Sequence, residues 1–409
     1  MPGLPVSTAW RTAWLAVALL WPVALLNYLD RQMLASVKFS VMQDVPGIDS
    51  DANWGLMLGQ FKWVYAFLSP LGGLIADRFG RRRTIVTSLA AWSAVTWLTG
   101  SATTFSQLLW TRTLMGFSEA FYIPAALALI TDHHPGATRS RAVGLHQTAI
   151  VMGAMLGGFG GYAADHPDLG WRWAFHAAGL AGLAYALPLA WLLPAAPRAA
   201  TVDDRAPLLV SLRELLTSAP FLLLVACFTL PALPAWVVRD WMPAILKERF
   251  GIGQGQAGVS ASMWWSLAAL VGVAAGGWMA DAWRRRSERG RIFTSALGIA
   301  LLAPALFGVG NAPTLGVAVS FLLLFGLGWG LFDCNNMPIL CQIARPELRA
   351  TGYGLMNLVS ISCGGVADWG FGRLRDAQVP LNGIFGAFAA AALVAACLML
   401  CIRPRFRGT

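Results

Sequence analysis

The stretch GGLIADRFGRRR, residues 72–83, closes an apolar run that begins near residue 54. A near copy, GGWMADAWRRR, closes another at residues 276–286, so that Asp77 and Asp281 correspond at an offset of 204. A second echo aligns TRSRAVGLHQ (138–147) with LRATGYGLMN (348–357) at an offset of 210, pairing Arg139 with Arg349, Gly144 with Gly354 and Gln147 with Asn357. Repeated motifs at matching places in two halves predict a chain built twice over. Working outward, apolar stretches long enough to cross about 30 Å of hydrocarbon fall at 11–37, 54–76, 84–103, 105–131, 140–164, 172–194, 219–247, 256–283, 292–310, 312–341, 348–372 and 381–403. The first lacks a small-residue cleavage site and reads as a mature span rather than a removable leader. The one extended polar interruption, 195–218, separates six spans from six.

Composition supports a membrane class. Of 409 residues, 57% are hydrophobic and 12% charged, against about 25% charged in soluble domains. That excludes a cytosolic enzyme, a disulfide scaffold and a disordered chain. The net charge of +10 invites a nucleic-acid reading, and the placement of the charges removes it. With both termini cytoplasmic, 20 of the 30 basic residues lie in inner segments, six in outer segments and four, Arg31, Lys62, Arg112 and Arg239, inside spans. This is the positive-inside pattern, so the charge sets orientation in a multi-pass plasma membrane. Twenty-seven Arg against three Lys point to a G+C-rich bacterial genome and hence to an inner membrane. Cys227, Cys334, Cys341, Cys363, Cys397 and Cys401 sit in apolar runs without metal-like spacing and read as small buried hydrophobes. No P-loop, metal cluster or activated nucleophile is present. No cofactor, ATP drive or enzyme activity is expected.

These residues carry a resemblance. GGLIADRFGRRR matches the loop signature of the major facilitator superfamily, and the twelve spans and the repeated motif extend the match over the whole chain. Within that superfamily the chain resembles the anion:cation symporter family through NYLDRQ (27–32), RTLMGFSEAFYIPAA (112–126) and GWRWAF (170–175). It is also similar to Spinster-type transporters, which share the Asp-Arg of the first span and the Arg and Glu of the fourth. The resemblance implies an all-α membrane fold of two pseudo-symmetric six-helix bundles: 1–194, a cytoplasmic linker 195–218, and 219–409. Inverted or parallel repeats of this kind are the layout of rocking, alternating-access carriers.

Charges inside a bilayer are expensive and are functional candidates by default. Asp30 and Arg31 lie about seven residues from the outer end of the first span, and Arg112 lies as far from the outer end of the fourth, so they share a depth. Asp30 is therefore expected to pair with Arg112. Glu119 follows two turns below Arg112 on the same face, about 10 Å deeper. Burial disfavours an ionised carboxylate and a neighbouring arginine favours it, so an arginine that changes partner from carboxylate to substrate drives proton uptake. Its planar fork also suits a substrate carboxylate. The family resemblance implies the same roles: Asp30 and Glu119 as proton sites, Arg31 and Arg112 on the substrate path.

Other candidates surround these. Tyr28 and Asn27 flank the Asp-Arg pair, and Lys62 shares a face with Tyr65, which matches a family position near the substrate. Gln147 and Asn357 are repeat-related amides expected to face a central cavity, with interhelical bonding as the alternative. Asp333, Asn335 and Asn336 form a polar cluster in the tenth span, with Asn336 counted as substrate-binding, and Ser360 and Ser362 joining from the eleventh. Trp236 and Trp241, beside Arg239 and Asp240, read as interface anchors. Gly73, Asp77, Arg78, Gly80, Arg81 and Asp281 form the conformational motif, in which an acid at a helix end bonds a facing helix N-terminus. Gly153, Gly157, Gly158, Gly160 and Gly161 give the fifth span a close-packing face. The expectation is a proton-coupled symporter of a small organic anion such as a sugar acid or monocarboxylate. Its expected partners are that anion, protons and membrane lipid, with no nucleic acid, and the carrier acts as a monomer. The alternative is a Spinster-like carrier of lysolipid or another amphiphile.

Overall fold

In lipid no water is available to satisfy backbone N–H and C=O groups, so a spanning chain must satisfy them within helices or a closed barrel. The computed structural model takes the helical solution; it describes residues 6–134, 138–195, 208–345 and 348–404. In chain order the helices are α1 (Val6–Ser36), α2 (Lys38–Asp44), α3 (Asp51–Phe79), α4 (Arg81–Gly100), α5 (Phe105–Glu119), α6 (Tyr122–His133), α7 (Arg139–Gly157), α8 (Gly160–Asp165) and α9 (Gly170–Leu192). There follow α10 (Leu208–Leu216), α11 (Ala219–Phe250), α12 (Gln254–Arg284), α13 (Gly290–Asn311), α14 (Leu315–Asp333), α15 (Asn336–Ile343), α16 (Arg349–Asp376) and α17 (Leu381–Cys401). Each expected span coincides with one of these helices or with a consecutive pair. Among the described residues, nine such segments are long and apolar enough to cross a membrane by length and composition. The other three expected spans fall on α3, α4 and α16, helices of 29, 20 and 28 residues with more polar content.

The chain divides into two compact units, Met1–Thr201 with Pro243–Ser262, and Val202–Met242 with Met263–Thr409. The boundary at residue 201 falls in the polar interruption, whose residues 196–207 lie outside the described set. The tip formed by the end of α11 and the start of α12 thus belongs to the first unit. There Gln254 donates to Ser40 and Asp165, and the Asp165 carboxylate accepts the Gly255 N–H at 2.8 Å.

Sequence explains where the helices start and break. Ser50, Thr104 and Thr314 each accept a backbone N–H three residues on, which are N-caps in the usual sense. Thr104 and Thr314 stand 210 apart, the repeat offset found above. The fourth and tenth expected spans are both interrupted, at Ala120–Phe121 and at Cys334–Asn335. In each case a proline follows two residues into the next helix: Pro124 after Tyr122, Pro338 after Asn336. A proline ring clashes with the carbonyl four residues back and leaves it without its N–H; those carbonyls belong to Ala120 and Cys334. The two prolines are 214 apart, and so are the last residues before the breaks, Glu119 and Asp333.

In the first unit α1 packs along α7, α4 along α9, and α3 against α5. Close approach at α1–α7 depends on small residues: a Cβ on Gly153 would fall on the carbonyl of Leu25, and one on Gly157 would lie 2.6 Å from that of Leu29. In the second unit α13 packs on α14 and α17. Trp241, read from sequence as an interface anchor, is instead fully buried, its ring 4.9 Å from that of Phe371 on α16 and edge-on to it.

Replacing Gly153 by valine is expected to destabilise the protein by about 1–3 kcal/mol or more, the usual cost of overpacking. Gly144→Ala, where an added Cβ meets nothing within 4 Å, keeps the melting temperature or raises it, since alanine is the better helix former. Thermal unfolding of the detergent-solubilised protein checks both.

Candidate functional site

The first unit gathers four charged side chains from two helices: Asp30 and Arg31 on α1, Arg112 and Glu119 on α5. Glycine makes the approach: a Cβ on Gly116 would lie 2.7 Å from the Phe61 carbonyl and 3.2 Å from the Tyr65 nitrogen. The α5 backbone therefore lies directly on α3, one turn before Glu119. The proline-induced break places Glu119 at the last position of α5 with no exposed surface. Ser88 on α4 donates to the Ser118 carbonyl beside that break.

Arg31 is the partner of Glu119. Its Nε and Nη2 both lie 2.6 Å from the single oxygen Oε2, while Oε1 is buried without a hydrogen bond. The guanidinium carbon sits 4.9, 4.8 and 4.8 Å from the ring centroids of Tyr28, Phe61 and Tyr65. Three aromatic faces thus hold the cation by its quadrupolar attraction and fix the plane of its fork. Asn27, fully buried on α1, lies beside the Glu119 carboxylate.

The expected Asp30–Arg112 ion pair is not formed. Asp30 Oδ2 accepts the Thr96 hydroxyl at 2.8 Å, and Arg112 Nη2 donates to Thr99 Oγ1 at 3.2 Å. Two threonines one turn apart on α4 take each charge separately. All four charges still act on one another across the cluster. Asp30 Oδ1, Arg112 Nε and Glu119 Oε1 are among the buried polar atoms of the cluster that make no hydrogen bond. In low dielectric such atoms are costly to leave bare.

The remaining candidates distribute as follows. Tyr28 and Tyr65 belong to the cluster through Arg31, and Lys62 is buried on α3. Gln147 is exposed on α7. In the second unit Asn357 is half-buried and Asn336 is buried, its amide donating to Asp333 Oδ1 at 3.2 Å, with Asp333 exposed. In the loop motif, Gly80 has φ of 90°, a conformation that favours glycine, and it breaks the chain between α3 and α4. Arg81 reaches α6, pairing with Asp132 and donating to the Ala128 carbonyl at 2.8 Å, as a cation at a helix C-terminus should. Asp77, half exposed, pairs with Arg81 at 3.6 Å. Arg78 and Asp281 are exposed. Of the two glycines that open the motif, Gly72 makes the close contact: a Cβ on Gly72 would meet Pro124 and Ala120 at 3.0 and 3.1 Å, and one on Gly73 nothing within 4 Å. Its repeat counterpart Gly276 sits on Leu331 and Cys334. In both units, the motif helix therefore abuts the break in the interrupted span.

Several polar residues escaped the sequence reading. Thr96 and Thr99 gave no signal, since helical threonines commonly bond their own backbone. His146, fully buried, has Nε2 2.9 Å from the Tyr122 hydroxyl, which donates to the Leu20 carbonyl. Asp368 is fully buried in α16 and could have been found as an acid inside an expected span.

Comparison with known proteins follows the same lines. The Major Facilitator Superfamily model matches residues 20–367. The protein spinster of Drosophila melanogaster is 27% identical over 391 residues, covering 89% of this chain and 63%, less than two thirds, of its own length. A D-galactonate transporter of Escherichia coli O6:H1 is 26% identical over 393 residues, covering 87% of each. The crystal structure of a bacterial homologue of the human lysosomal transporter Spinster superposes with a TM-score of 0.79 at 19% identity, covering 94% of this chain and 96% of that one.

Removing one partner of a buried pair leaves an uncompensated charge and costs about 3–5 kcal/mol. Arg31→Gln alone is therefore expected to lower the melting temperature more than Arg31→Gln combined with Glu119→Gln. Equal losses in the two variants would show that the carboxylate stranded by Arg31→Gln carries no penalty.

Proposed function

The chain belongs to the Major Facilitator Superfamily, whose members are membrane transporters and not enzymes, and we propose that it is a proton-coupled symporter of a small organic anion, a sugar acid or similar monocarboxylate. The observation that carries this reading is the buried Arg31–Glu119 pair, in which both guanidinium nitrogens crowd one carboxylate oxygen. A bidentate carboxylate uses such a fork better, one oxygen to each nitrogen. An incoming anion therefore competes with Glu119 for Arg31, and Arg112 adds a second cation at the same site.

Charge arithmetic gives the coupling. Asp30, Arg31, Arg112 and Glu119 sum to zero when all are ionised. One bound monoanion leaves the buried cluster at minus one, and one proton on Glu119 or Asp30 restores neutrality. A carboxylate that has lost its arginine to substrate takes that proton readily, because burial disfavours its charged form. Substrate and proton then load together, and the pair crosses as a neutral cargo. Tyr28, Tyr65, Gln147, Asn336 and Asn357 supply hydroxyl-directed hydrogen bonds. The cycle runs by alternating access of two six-helix bundles in a monomer, with both termini cytoplasmic and the carrier in a bacterial inner membrane. The loop motif with Gly73, Asp77, Arg78, Gly80, Arg81 and Asp281 biases the conformational equilibrium. The similarity to a D-galactonate transporter supports this substrate class.

A second reading is favoured by the similarity to spinster: a carrier of lysolipid or another amphiphile using the same charged cluster. The polar Asp333–Asn336 bond in the second unit suits a hydroxylated solute better than an alkyl chain. Thermal-shift screening against D-galactonate, neutral sugars and a lysolipid separates the two.

In proteoliposomes with D-galactonate and related monocarboxylates, an inward proton gradient is expected to drive accumulation with proton entry and little dependence on membrane potential. Glu119→Gln should abolish gradient-driven accumulation and retain counterflow exchange; undiminished accumulation by that variant would overturn the proton assignment.

A further inference from the structure

Thr96 on α4 has one hydroxyl proton and two acceptors. Its Oγ1 lies 2.8 Å from Asp30 Oδ2 and 3.0 Å from the carbonyl of Trp92, one turn back on its own helix. Thr96 and Trp92 have no exposed surface and Asp30 has 3%, so water does not stand in for either partner. A hydroxyl donates one hydrogen bond and accepts two. It can serve only one of these acceptors fully at a time.

We propose that Thr96 is a positioning residue that registers the protonation of Asp30 by turning its hydroxyl. With Asp30 ionised, Thr96 donates to Oδ2. When a proton binds Oδ2, the neutral acid becomes the donor: Oδ2–H points at Thr96 Oγ1, and the threonine proton turns to the Trp92 carbonyl. One proton enters and one O–H bond forms on the acid; the threonine keeps its own proton and changes only its direction. Both states are fully bonded at this oxygen, so a proton on Asp30 leaves no orphaned donor in the apolar surround. A carboxylate paired with Arg112 would be held in its charged form, and the threonine in its place holds either form.

The charged groups whose fields reach Asp30 are Arg31 on its own helix and Arg112 and Glu119 on α5. Several other titratable groups on helices packed against α1 are engaged elsewhere. Tyr122 on α6 and His146 on α7 bond each other, Tyr185 on α9 donates to the Leu19 carbonyl, and Asp165 on α8 accepts from Gly255. Thr96 is thus the hydrogen-bond partner of Oδ2 while the three charges set the background field.

The inference rests on the reading of Asp30 as a proton carrier, and its test uses no transported solute. Infrared difference spectra of the purified full chain in lipid, titrated from alkaline to acid, report the carboxylic C=O stretch. Asp30→Asn identifies the Asp30 band by deleting it. Thr96→Val removes a bond from both forms, a stronger one from the ionised form, and is expected to move the midpoint of that band to more alkaline pH by about one unit, the margin of a hydrogen bond to a charged group over one to a neutral acid. It also shifts the band itself, since the neutral acid loses its acceptor. Thr96→Ser keeps the hydroxyl and restores both. If no band disappears in Asp30→Asn, the proton-carrier reading of Asp30 fails. If the band is there but Thr96→Val leaves its midpoint in place, or Thr96→Ser moves it equally, the hydroxyl switch fails and the proton-carrier reading stands.

Discussion

The contact between Arg31 and Glu119 organises the first unit around itself. A carboxylate with no exposed surface cannot remain charged in hydrocarbon without a cation, and the desolvation cost of the pair is recovered only where geometry is tightly held. Everything near it contributes to that holding. Three aromatic rings fix the guanidinium, Gly116 brings the α5 backbone onto α3, and the break after Glu119 turns the chain so that the carboxylate ends a helix. The pair is still imperfect, since both nitrogens address one oxygen. An ion pair that is strong but incomplete can hold two helices and yet be exchanged for a better-fitting anion.

The break itself recurs. Glu119 and Asp333 both end a helix one turn before a proline-bearing continuation, at the same spacing, and in both units the first glycine of the motif pair packs on the interruption. Broken helices are tolerated in membranes where protein or a polar cavity satisfies the freed backbone groups. Here Ser88 takes the Ser118 carbonyl in the first unit, and Asn335 donates to the Leu331 carbonyl in the second. The two repeats diverge in chemistry at this shared place. The first sets an acid against an arginine, the second sets an acid against an amide. The helix break thus recurs at corresponding places, while the partner of the acid differs between the two units.

Much of the plan could be read before any coordinates. The spans were legible because apolar length is a strong local signal. Asp30, Arg31, Arg112 and Glu119 stood out as candidates because charge inside an apolar run has few neutral explanations. Partner choice was not. Depth along two helices predicted Asp30 with Arg112, whereas rotation about the helix axes and the interposed face of α4 gave Asp30 to Thr96 and Arg112 to Thr99. Helical threonines are too ordinary in sequence to announce such a role, and His146 is equally silent beside the conspicuous Gln147.

The sequence by itself therefore determined the class, the repeat, the helical segments and the set of intramembrane charges, because hydropathy, periodicity and ionisability are properties of residues in order along a chain. Only the tertiary structure decided which charge meets which, that Gly72 rather than Gly73 bears the close contact, and that Trp241 lies in a core. Those outcomes depend on the azimuth of each helix and on distances of an ångström or two between elements far apart in sequence. Such relations arise only when the helices pack.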